Sequence, residues 1–65
     1  MQILVNGEPV ATDARTLAEL CAALGFARAK VATAVNGSFV ASAKREVTPL
    51  APKDEVEIVA PRQGG

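Results

Sequence analysis

Large apolar side chains come in short runs along this chain, and the spacing within each run changes from one run to the next. The first, Gln2-Ile3-Leu4-Val5, is β-prone and is followed at once by Asn6-Gly7. Both residues of that pair tolerate positive φ, so the pair predicts a tight hairpin with a return strand over residues 8–12. Pro9 has no N–H to give a ladder, which assigns the return strand to a sheet edge. From Thr16 the period lengthens: Leu17, Leu20, Cys21 and Leu24 stand at i, i+3, i+4 and i+7, one apolar stripe on a helix over residues 17–24. Thr16 with Glu19 three positions on forms a capping-box pattern, Gly25 stands where a helix C-cap belongs, and Phe26 is expected to fold back on the last turn.

The second half repeats the device. Residues 31–35 are β-branched or small, Asn36-Gly37 repeats the turn pair, and Ser38-Phe39-Val40 predicts a short return strand. Lys44, Arg45, Pro49 and Pro52 interrupt any long element between residues 41 and 54, so an irregular crossover anchored by Val47 and Leu50 is expected. Residues 55–59, Glu-Val-Glu-Ile-Val, alternate polar and apolar, the pattern of a strand with one buried face. The implied architecture is α+β, a mixed sheet of four to five strands packed on one helix, with the first and last strands adjacent in the middle and the second strand outermost. Residues 1–60 are read as one domain and residues 61–65 as a flexible tail.

Composition narrows the picture further. The chain has 65 residues and is 49% hydrophobic, but 13 of those residues are Ala; only 18 are Val, Ile, Leu, Met or Phe. A core of that size is minimal, so each large apolar side chain is needed inside or is left outside for a partner. Seven basic residues balance seven acidic ones, and there is no Trp or Tyr. Scattered, neutral charge gives no footprint for nucleic acid. With no His and one Cys, neither a Cys/His zinc site nor a His-dependent catalytic triad can be assembled. The lone Cys forbids an intrachain disulfide, the first residues lack a signal-peptide pattern, and no apolar run approaches the roughly 20 residues that span a bilayer, so a cytoplasmic setting without membrane partners is expected.

The remaining candidate chemistry lies in Arg62-Gln63-Gly64-Gly65. A terminal carboxylate is ionised at neutral pH and is a poor electrophile until one oxygen becomes a leaving group. Adenylation by ATP achieves this, and Gly64 and Gly65, having no Cβ, let the backbone enter a narrow active site in another protein.

On these residues the chain resembles the prokaryotic sulfur carriers of ubiquitin-like β-grasp fold, and among them the ThiS family of thiamine biosynthesis. The resemblance is carried by Met1 to Gly7, the helix segment Thr16-Leu17-Ala18-Glu19-Leu20, Ala34-Val35-Asn36-Gly37, Thr48-Pro49-Leu50, the close Asp54 to Val59, and Gln63-Gly64-Gly65. It implies that the protein is a co-substrate and not an enzyme: a ThiF-like adenylating enzyme activates Gly65, and sulfur drawn from a cysteine desulfurase turns it into a thiocarboxylate. That sulfur then goes to a ThiG-like thiazole synthase. The resemblance implies no bound cofactor beyond this covalent thiocarboxylate. The alternatives are a carrier for another pathway, similar to the small subunit of molybdopterin synthase, a ubiquitin-like protein modifier, and a β-grasp interaction module in which the tail has no role. The chain departs from the family pattern in having Lys53-Asp54 where members often have Gly-Asp, and in having Arg62 where a small apolar residue is frequent.

Other features have less specific readings. Cys21 on the helix stripe is expected to pack in the core. Arg15, Arg28, Lys30, Lys44 and Arg45 read as a solvated face, and Asp54, Glu55 and Glu57 as exposed carboxylates able to meet a basic partner. Phe39 and Val59 are the apolar residues least easily assigned to the helix side of the sheet. They form a partner-docking patch beside the tail, together with Arg62, unless Phe39 completes the core.

Overall fold

The computed structural model describes residues 1–60. Two hairpins flank one helix: β1 (Gln2–Val5) and β2 (Glu8–Ala11), α1 (Leu17–Ala23), then β3 (Ala32–Val35) and β4 (Ser38–Val40). A 3-10 helix (Ser42–Val47) leads to β5 (Glu55–Val59). The five strands form one mixed sheet in the order β2-β1-β5-β3-β4, with β1 and β5 parallel and the other pairs antiparallel. This is the ubiquitin-like β-grasp arrangement, with the Pro9 strand at one edge.

Both hairpins turn through Asn-Gly pairs at positive φ: 51° and 85° for Asn6 and Gly7, 50° and 84° for Asn36 and Gly37. Two successive positive values match the right-handed twist of the flanking strands. In α1 the Thr16 hydroxyl accepts the Glu19 N–H at 3.2 Å. The Glu19 carboxylate reaches past Thr16 and accepts the Arg15 N–H at 2.7 Å, a capping box displaced by one residue. Backbone from the crossover takes up the space at Thr16, since the Leu17 N–H donates to the Thr48 carbonyl and the Leu50 N–H to that of Arg15. At the other end Phe26 N–H donates to Cys21 O and Gly25 N–H to Ala22 O, the two bonds of a Schellman motif.

The core is Ile3, Val40, Val56 and Ile58 from the sheet with Leu17, Leu20 and Cys21 from α1, and Phe26 and Leu50 pack against it. Leu24, the last position of the sequence stripe, is the C-cap residue and is exposed. The crossover contradicts one expectation. Leu50 anchors it, but Val47 is 72% exposed. A 3-10 helix has three residues per turn, so Val47 stands on a different face from Arg45, and Arg45 is the residue that turns inward.

Candidate functional site

β5 leads directly into residues 61–65, so its surroundings fix where that segment starts. Side chains alternate across a strand, which puts Val56 and Ile58 on the helix side and Glu55, Glu57 and Val59 on the open side. Register extends the open face to both sides of β5. Ala32 lies opposite Val59, Ala34 opposite Glu57, and Phe39 opposite Ala34. On the far side Leu4 is level with Glu55, and Pro9 is opposite Leu4. The two small residues of β3 therefore floor a shallow trough, with Phe39 on one wall and Glu57 and Val59 on the other, about 10 Å across at two strand spacings.

Phe39 is 73% exposed and Val59 60%, so neither completes the core. The structure puts them on one face, two strands apart. The other residues expected to act with them, Arg62, Gly64 and Gly65, and the tail as a whole lie outside the described residues.

Both turn asparagines act on β5 as well as on their own turns. β1 ends at Val5, and the bonds from Leu4 N–H to Asp54 O and from Asn6 N–H to Val56 O close its backbone ladder. The Asn6 carboxamide adds one more rung. Its Oδ1 accepts the Ile58 N–H at 2.9 Å and its Nδ2 donates to the Ile58 carbonyl at 3.0 Å. Asn36 does the corresponding job at the other end of the strand, accepting the Glu55 N–H at 2.9 Å and donating to Asp54 Oδ1 at 3.0 Å.

Arg45, read from the sequence as solvated, is half-buried. Its Nε donates to Thr33 Oγ1 at 3.0 Å and its Nη2 to the Val31 carbonyl at 2.6 Å. Thr33, itself buried, donates to the Val40 carbonyl at 2.8 Å, so one arginine ties the crossover to the β3–β4 hairpin. Val59, Ala32 and Arg45 also line an open cleft of about 520 Å³ together with Arg28 and Lys30. Cys21 is buried, and desolvation pushes its thiol pKa up while the Arg45 charge opposes the rise. Among the described residues no three His, Cys, Asp or Glu side chains are grouped to hold a metal ion, and no helix is long and apolar enough to cross a membrane.

The ThiS family profile matches residues 2–65, which takes in both hairpins, the helix, β5 and the Gly-Gly pair. The chain belongs to the ThiS family. A solved neighbour is the crystal structure of the thiamine biosynthesis protein ThiS from Geobacter metallireducens, with 32% identity, a TM-score of 0.82 and all of both chains covered. A solution structure of a thiamine biosynthesis protein from the same organism gives 29% identity and a TM-score of 0.80, over 100% of this chain and 88% of that one. No curated protein matches the chain significantly. Against the family pattern noted above, Lys53 takes φ 72°, the left-handed conformation that glycine adopts most readily, so the Gly-to-Lys departure falls at a position with a backbone reason for glycine. Sequence reasoning missed the parts played by Asn6, Asn36 and Arg45 beyond their local segments. The two Asn-Gly pairs were visible, but not the strand their side chains reach.

Proposed function

We propose that this ThiS family protein is a sulfur carrier for formation of the thiamine thiazole, acting as a protein substrate through the carboxylate of Gly65. That carboxylate attacks the α-phosphate of ATP within an adenylating enzyme, pyrophosphate leaves, and an acyl-adenylate results. The outer sulfur of a persulfide formed by a cysteine desulfurase attacks the carbonyl and displaces AMP. A thiol then cleaves the resulting acyl disulfide and is left in a disulfide with the former persulfide carrier, and the freed thiocarboxylate is carried to thiazole synthase. Sulfur is softer and more nucleophilic than the carboxylate oxygen it replaces, so the terminus changes from activated electrophile to sulfur donor within one cycle. The observation that carries this reading is the family match through Gly64 and Gly65. The open sheet face bearing Phe39 and Val59 supports it, because both side chains lie on the face that β5 shares and are left uncovered by the body. In this reading Arg62 takes part in meeting the partner.

Intact mass spectrometry tests it. Incubation with ATP, the cognate adenylating enzyme and a sulfur donor is expected to exchange one oxygen of Gly65 for sulfur. Deleting Gly65 should abolish the exchange without changing the melting temperature. Lysine-linked adduct ladders in cell extract would identify a modifier, and an unchanged mass with an enzyme proven active would overturn the carrier reading.

A further inference from the structure

We infer that Asn6 is a positioning residue for the reactive terminus: by supplying the last rung on the β1 side of β5, it fixes the point from which the tail leaves the body. This rests on the carrier reading. On the β3 side β5 is paired as far as Val59, through Ala32. On the β1 side the chain has already turned away at Asn6-Gly7, and both main-chain groups of Ile58 on that side are met by the Asn6 carboxamide, at 2.9 and 3.0 Å. The amide plays the part of a peptide group in an added ladder residue, across 52 positions of sequence. Without it, Ile58 and Val59 would be held on one edge only, and a strand end with one paired edge frays more readily.

Fraying there matters more than fraying elsewhere. Five residues beyond Ala60 reach at most about 17 Å, so the body must sit within that distance of the adenylating site when the terminus is engaged. Each residue released at the root lengthens the tether by about 3.4 Å and adds backbone freedom that must be lost again for reaction. The turn itself needs only positive φ at Asn6, which glycine satisfies, so the side chain's contribution separates cleanly from the turn's.

A matched pair of variants tests the inference. Asn6→Gly removes the rung beside the tail, and Asn36→Gly removes the equivalent rung at Glu55, at the opposite end of the same strand. Both keep an allowed backbone and each loses two side-chain hydrogen bonds. Similar drops in melting temperature are expected for the two. Only Asn6→Gly should also lower kcat/KM for adenylation, followed by pyrophosphate release with the cognate enzyme, by about tenfold, and speed hydrogen exchange at the Ile58 amide. Asn6→Asp sets a carboxylate oxygen against the Ile58 carbonyl and should lose rate in the same direction, which gives a second variant if Asn6→Gly does not fold. Equal loading by Asn6→Gly and wild type, or an equal loss in Asn36→Gly, would overturn the positioning role alone. Wild-type protein that is not adenylated would overturn the carrier reading and this role together.

Discussion

Cys21 is the one side chain in the described body that a search for sulfur chemistry would pick, and its surroundings argue against that use. It is 3% exposed in the contact layer between α1 and the sheet, where burial holds the thiol in its neutral form. Because the folded pKa lies above the ordinary value of 9.0, the unfolded chain gives up the proton first as pH rises. The stability that depends on the neutral thiol is therefore complete below that pH and is lost progressively above it. Urea midpoints measured from neutral pH upward should show wild type losing stability relative to Cys21→Ala only on the alkaline side. Native protein at neutral pH should resist alkylation by iodoacetamide, and Cys21→Ala should still be loaded at Gly65. Loss of loading with an intact fold would assign Cys21 to the chemistry after all.

The crossover between β4 and β5 shows which elements reveal themselves in a sequence. Helix α1 is defined by contacts within eight residues and by caps at both ends, so its stripe, its Thr16 start and its Schellman close are all local signals. The same holds for the Asn-Gly hairpins and for the alternation of β5. What cannot be read locally is a side chain that satisfies a distant backbone. Arg45 sits in a run of charge and small residues that looks solvated, yet it serves Thr33 and the Val31 carbonyl, 12 and 14 positions away. Val47 looked like the anchor because it is apolar, but the 3-10 turn aims Arg45 inward in its place. Arg45→Met keeps the aliphatic length and removes the donors, leaving the Val31 carbonyl and one Thr33 lone pair without them. The expected loss is about 1–3 kcal/mol in urea unfolding. The Cys21 thiol should shift further upward, since the one charge that opposes its rise is gone. An unchanged urea midpoint would mean that water replaces the guanidinium at no cost.

At the scale of the whole molecule, the helix side of the sheet accounts for the buried core and the open side is left with Phe39, Val59, Leu4 and two carboxylates. The candidate terminus was legible as a motif in the sequence, whereas the open face of the sheet depends on strand register, which decides that Phe39 points away from α1. A ring that is 73% exposed contributes little to the core, so Phe39→Ser should change unfolding free energy by no more than about 1 kcal/mol, chiefly through β-propensity. If the face docks on the adenylating enzyme, the same substitution takes a large apolar contact from the wall of the Ala32–Ala34 trough, and the body's binding weakens while the Gly65 chemistry is untouched. The KM for the carrier should then rise several-fold with kcat held. A fall in kcat at constant KM would place the effect at the tail, and a large drop in melting temperature would return Phe39 to the core. The Asn6→Gly variant provides the contrast, since it leaves Phe39 and the Ala32–Ala34 floor in place and acts on the end of β5. The two substitutions together therefore separate what the face contributes to meeting the enzyme from what β5 contributes to delivering Gly65 into it.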